Sequence, residues 1–240
     1  MGQKPTSINR KEVIMRKFFY LSLIWLFLII VPSSAQEAAP VETPVVTEQT
    51  DADKAKVMFE KIKATEIHAV GIFSLGDGIG FCSGVLIETT DKYSKVLTAK
   101  HCISTSEEYY VEQSAVKKIE ASPTDDLALL TTEPIANKIP VKFAKSNEPL
   151  YTIIYTLGYP DGENLYIGIG YTLRNTKDWQ WARMKVRPGC SGGGVYNSNQ
   201  ELIGILWGGI GMEGEKPGMS IFEPISDVKK FLMETGYILR

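Results

Sequence analysis

Between residues 69 and 207 the chain is cut into short β-rich runs, and their spacing constrains the fold more than any other feature of the sequence. The runs cover residues 70–73, 84–87, 95–98, 127–131, 151–157, 165–173, 179–186 and 202–207. They are rich in β-branched and aromatic side chains, which suit a pleated, half-buried surface, and Gly, Pro, Asp and Asn punctuate the gaps with turns. Repeated short strands of this kind predict an all-β barrel or sandwich. Gly76-Asp77-Gly78-Ile79-Gly80 reads as a hairpin turn in this setting, because it lacks the lysine and following helix of a phosphate loop. No internal sequence repeat is visible.

The flanks read differently. Residues 51–65 place Val57, Met58 and Ile62 near helical spacing among Lys and Glu, predicting a short amphipathic helix before a domain at residues 66–240. Residues 36–50, rich in Ala, Pro, Glu, Thr and Val, read as a flexible linker. Ser226 is placed to cap a final helix running to Thr235, with Val228, Phe231 and Leu232 facing the strands and Gly236 as its stop.

Arg16 and Lys17 precede an apolar run over residues 18–31, and small Ser33 and Ala35 follow. A run of 14 residues is short for a membrane span and suits a signal peptide over residues 1–35, cleaved after Ala35, with Met15 an alternative start. The competing reading is an uncleaved anchor that tethers the exported domain to a membrane. Residues 1–35 hold Lys4, Arg10, Lys11, Arg16, Lys17 and one acid, Glu12. Removing them leaves 21 basic against 27 acidic residues, a net charge of about −6. With no basic stripe interleaved with aromatics, nucleic-acid binding has no electrostatic basis.

The chemistry gathers in three segments. Ser191 lies in Arg187-Pro188-Gly189-Cys190-Ser191-Gly192-Gly193-Gly194. A serine hydroxyl needs a neighbouring base to become a nucleophile at neutral pH. Only two histidines exist; His68 lies outside the motifs and reads as a surface or linker residue. His101 stands where an apolar strand gives way to a polar turn, in Val96-Leu97-Thr98-Ala99-Lys100-His101-Cys102. A carboxylate to orient that imidazole is available at Asp125 or Asp126, directly before Leu127-Ala128-Leu129-Leu130. Gly189 can form a tight turn that aims the Gly189 and Ser191 amides at a developing oxyanion, and Gly192 and Gly193 would let a substrate approach closely. Cys190 is the rival nucleophile, but it occupies the middle position of Gly189-Cys190-Ser191, while two glycines directly follow Ser191; its plain reading is a small packed thiol. The scattered cysteines and histidines have no metal-ligand spacing, so neither metal nor cofactor is expected.

In their His, Asp, Ser order these segments resemble the chymotrypsin-fold serine endopeptidases, particularly the compact bacterial branch that includes the high-temperature-requirement proteases. The resemblance runs over residues 70–232 and includes Gly158-Tyr159-Pro160, Leu202-Ile203-Gly204-Ile205 and Gly218-Met219-Ser220-Ile221-Phe222-Glu223-Pro224-Ile225. It implies an all-β fold of two six-stranded antiparallel barrels, here with a short N-terminal and a C-terminal helix, and with His101, Asp126 and Ser191 between the barrels. It favours Asp126 over Asp125 and implies a disulfide between Cys82 and Cys102 and polypeptide substrates. The pocket for the residue before the scissile bond would include Lys185, Trp207 and Gly208, with Lys185 favouring acidic side chains and the Trp207 strand taking the peptide by strand addition. Two departures stand out: no Ile-Val-Gly-Gly start exists for activation by a new N-terminus, and Cys190 replaces the asparagine usual in the bacterial branch. A catalytically silent peptide-binding module with the same cleft is the alternative reading. An esterase on another fold would carry its residues in the opposite order. Oligomeric state is not legible.

Overall fold

The computed structural model describes residues 51–75, 79–103, 108–160, 162, 164–176, 179–210 and 218–239. The expected signal segment, the linker and the tip of the first hairpin lie outside the described residues.

Helix α1 (Asp51–Ala64) leads through a 3-10 turn (Thr65–His68) into six strands: β1 (Ala69–Leu75), β2 (Ile79–Thr89), β3 (Ser94–Ala99), β4 (Glu108–Val111), β5 (Ser114–Ala121) and β6 (Leu127–Thr132). They close as an antiparallel barrel in the order β1-β2-β3-β6-β5-β4. After the two-residue β7 (Lys142–Phe143) come β8 (Ile153–Gly158), β9 (Tyr166–Asn175), β10 (Gln180–Met184), β11 (Gly194–Tyr196), β12 (Glu201–Ile210) and β13 (Met219–Pro224). These run β11-β8-β9-β10-β13-β12 and close through β11–β12, with β7 added parallel to β12. Counted from each barrel's own first strand, both have the cyclic order 1-2-3-6-5-4. The chain repeats a topology without repeating a sequence.

Alternation along the strands explains why several runs are apolar on both faces. In β6, Leu130 fills the first barrel with Val70, Ile72 and Val96, while Leu127 and Leu129 point the other way. In β8, Ile154 fills the second barrel, and Tyr155 and Leu157 face out of it. The outward sets meet in a third cluster, which also takes Ile62 of α1 and Ile225, Val228, Phe231 and Leu232 of the last helix. A strand buried on both faces reads as a continuous hydrophobic run.

The last helix, α2 (Ile225–Glu234), corrects the expected cap. Pro224 is the N-cap, and Ser226 lies inside the first turn with its N–H donated to Asn147 Oδ1 at 3.1 Å. An orphan donor of the first turn is thus satisfied from a distant loop. Gly236 ends the helix at φ 77°, its N–H bonded to Met233 O at 3.0 Å. His68 lies half-buried in the turn before β1, bonded through Nδ1 to Ile139 O, and burial lowers its pKa.

Candidate active site

β3 ends at Ala99, and the chain turns at once through the 3-10 segment Lys100–Ile103, so His101 is set at the end of a barrel strand. That turn is held from two sides. Lys100 N–H donates to Asp126 O at 3.1 Å and His101 N–H to Asp126 Oδ1 at 2.9 Å. Cys102 is disulfide-bonded to Cys82 of β2, with the two Cα atoms 6.0 Å apart. Asp126 directly precedes β6, and its Oδ2 lies 2.6 Å from His101 Nδ1. One carboxylate therefore fixes both the backbone and the ring of His101. The Asp126 side chain is 13% exposed and that of His101 44%, so the acid is shielded while the imidazole opens to the cleft. Asp125 faces elsewhere, accepting the hydroxyls of Ser122 and Thr124 at 3.0 and 2.8 Å.

Ser191 sits in the turn before β11. Cys190 N–H donates to Arg187 O and Gly193 N–H to Cys190 O, both at 3.0 Å, so the turn closes without using the amides of Gly189 and Ser191. Gly189 has φ 88°, and a Cβ there would lie 2.5 Å from Pro160 O. No other residue type meets both conditions without strain. Gly192 has φ 82°, and its Cβ would lie 2.1 Å from Thr98 Oγ1 and 2.2 Å from Ser83 O. A Cβ on Gly193 would meet Leu157 O at 2.4 Å. The crowding that requires both glycines comes from the protein's own strands, which corrects the expectation that they make room for substrate. Cys190 is fully buried in the core of the second barrel.

The Ser191 hydroxyl donates to Trp207 O at 2.9 Å. The Trp207 ring stands edge-on to His101 with centroids 6.1 Å apart, and Cys102 Sγ lies 3.6 Å from Ser191 O. Hydroxyl and imidazole thus share one junction between the barrels. Trp207 lies at a register shift in β12, beyond the segments paired with β11 and β7, so its edge away from β13 has no strand partner among the described residues. A Cβ on Gly208 would meet open space. Lys185 follows the last residue of β10 and is exposed, whereas Met184 before it is in the core, and Tyr166 Oη donates to its carbonyl at 3.1 Å. No contact among the described residues ties its ammonium to Ser191.

Two residues that no sequence motif singles out complete the junction. Ser83, fully buried on β2, donates N–H to Ser191 O and its hydroxyl to Gly189 O, both at 2.8 Å, and accepts Tyr159 N–H at 2.8 Å. Glu223 of β13, 1% exposed, accepts Asp126 N–H at 2.9 Å. A carboxylate alone between Phe222 and Pro224 in an apolar strand is the available signal for the second; nothing local marks the first.

The profile of the trypsin-like peptidase domain matches residues 82–205. The chain belongs to that family. The chain is 27% identical over 176 residues to the periplasmic serine endoprotease DegP of Salmonella typhimurium, and the same holds for that of Escherichia coli. The match takes 66% of this chain and 37% of each relative, so the chain spans little more than a third of their length. The fold is shared with the active form of the Rv3671c protease from M. tuberculosis (TM-score 0.64, 22% identity, 88% of this chain and 95% of that one). A serine endoprotease from Yersinia pestis gives a TM-score of 0.62 at 20% identity, over 74% of this chain and 65% of that one.

Proposed function

We propose that this chain is an exported endopeptidase that hydrolyses peptide bonds with Ser191 as nucleophile, His101 as general base and Asp126 as the carboxylate that orients it. The observation that carries the reading is the 2.6 Å bond from Asp126 Oδ2 to His101 Nδ1, made at the junction where Ser191 lies. With Nδ1 donating to the carboxylate, Nε2 is left as the basic nitrogen. Attack requires the Ser191 hydroxyl to exchange the Trp207 carbonyl for Nε2. Its proton then passes to His101 while Oγ bonds to the substrate carbonyl carbon, and the Gly189 and Ser191 amides receive the oxyanion. His101 returns the proton to the leaving amine as the C–N bond breaks. Water, deprotonated by the same imidazole, releases the acid. The edge beyond Leu206, which has no strand partner among the described residues, supports binding of the peptide as an added strand.

Export is supported by the Cys82–Cys102 disulfide, which an oxidising compartment maintains, and by the periplasmic relatives. Selection of acidic side chains by Lys185 belongs to the same proposal, and a positional-scanning peptide library showing apolar preference removes it. The second reading, a silent peptide-binding module, draws support from the Ser191 hydroxyl being bonded to a backbone carbonyl. Labelling with a fluorophosphonate separates the two. An adduct mapped to Ser191, absent in Ser191→Ala, is the expected outcome. An unlabelled folded protein, or a Ser191→Ala variant with full peptidase activity, rejects the triad.

A further inference from the structure

Glu223 has no part in the steps above, yet it is the most deeply buried carboxylate at the junction. Its side chain crosses from β13 of the second barrel to the residue just before β6, where Oε1 accepts the N–H of Asp126 at 2.9 Å. Its other oxygen, Oε2, is buried without a hydrogen-bond partner among the described residues. Three carboxylates act on it. Asp125 and Asp126 precede β6 and Asp227 lies in the first turn of α2, and all three act on Glu223 as like charges. The nearby ammonium of Lys100 is held by Ser122 O at 2.7 Å. Asp126 in turn grips His101 at two points. Glu223 therefore stands one residue behind the acid–base pair, on the side away from solvent.

We propose that Glu223 is a positioning residue for Asp126, fixing it from the second barrel and adding a second carboxylate behind the Asp126–His101 pair. The inference rests on the triad reading above. Two consequences follow from the two properties of the side chain. As an acceptor, it satisfies a buried N–H and so sets the backbone from which Asp126 reaches His101. As an anion, it favours a positive imidazole two links away, so the protonation of Glu223 enters the pH response of the site. Burial raises its pKa to about 7, a rise that the Asp126 N–H opposes and the three neighbouring carboxylates reinforce. The charge therefore appears in the range where histidines ordinarily titrate.

Glutamine separates acceptor from charge. The test measures the rate of Ser191 labelling by a fluorophosphonate against pH in the full chain and in its E223Q and E223L variants. E223Q keeps an oxygen for Asp126 N–H and loses the anion. Its acid limb is expected to move to lower pH by about half a unit while the plateau falls less than threefold. E223L loses the acceptor too, and its labelling is expected to fall by at least tenfold at every pH. An E223Q profile that superimposes on that of the parent, or an E223L variant that labels at the parent rate, overturns the proposal. Thermal melting supplies the control. A carboxyl whose folded pKa lies above its unfolded value stabilises fully below the unfolded pKa of 4.5, and that contribution is lost as pH rises through about 7. E223Q should consequently melt above the parent at pH 8 and converge with it toward pH 5. If E223L does not fold, E223Q alone decides. Absence of labelling at Ser191 in the parent rejects the triad, whereas normal labelling with no E223Q shift rejects only Glu223.

Discussion

Ser83 makes its three hydrogen bonds with no solvent access, and each reaches the segment that presents Ser191 or the strand end beside it. The hydroxyl holds Gly189 O, and the amide holds Ser191 O. A residue of the first barrel thus grips the nucleophile turn of the second on both sides of Cys190. Ser83→Ala would leave the Tyr159 N–H and the Gly189 carbonyl buried without partners, at about 1–3 kcal/mol each before relaxation. The loosened turn is the one that offers the Gly189 and Ser191 amides to an oxyanion. We expect Ser83→Ala to slow fluorophosphonate labelling of Ser191 by about tenfold, the kinetic equivalent of about 1.4 kcal/mol. A variant that melts lower but labels at the parent rate would make Ser83 merely structural. His101 and Ser191 were legible as candidates because each sits in a local string that the proposed chemistry requires, whereas Asp126 was favoured over Asp125 only by family resemblance. Ser83 and Glu223 were not, because their meaning lies in partners 106 and 97 residues away.

At the level of elements, the runs that burial makes apolar were readable, and the strands that face water were not. β4 and β5 form a hairpin whose β5 side carries Lys117, Lys118 and Glu120 and is largely exposed, so no alternation marks it. β7 and β11 are two and three residues long, too short for a periodic signal. The cap of α2 was misplaced for a related reason: Ser226 looks like an N-cap locally, but Asn147 of another segment takes its N–H. The disulfide was readable only through family resemblance, and its role belongs to this scale. It joins β2 to the 3-10 turn that carries His101, closing a loop across 20 positions. Its removal should destabilise the fold by about 3 kcal/mol through the entropy of the unfolded chain. Thermal melting with and without reductant measures this, and a reduced, alkylated protein that melts with the oxidised one would show that the bridge adds nothing.

At the scale of the molecule, the two barrels repeat a topology but do not rely on separate cores alone. Their outward faces share one cluster in which Leu97 and Leu129 of the first barrel lie with Leu157, Leu202 and Ile205 of the second, and α2 seals it with Val228, Phe231 and Leu232. The candidate site straddles that seam: His101 and Asp126 come from one side, Ser191 and Trp207 from the other. A barrel that opened alone would expose half of the cluster and separate the base from the nucleophile, so the shared apolar surface couples stability to activity. Phe231, 2% exposed, is the largest side chain α2 contributes, and Phe231→Ala should cost about 3–5 kcal/mol. The loss should be felt by both barrels at once, although the helix follows only the second in sequence. Amide exchange in β3 and in β8 is the measurement: both strands should lose protection by the same free energy, with labelling of Ser191 failing at the same denaturant concentration. Protection lost in β8 while β3 stays as it was would mean that the barrels unfold independently, and that the seam is a contact rather than a common core.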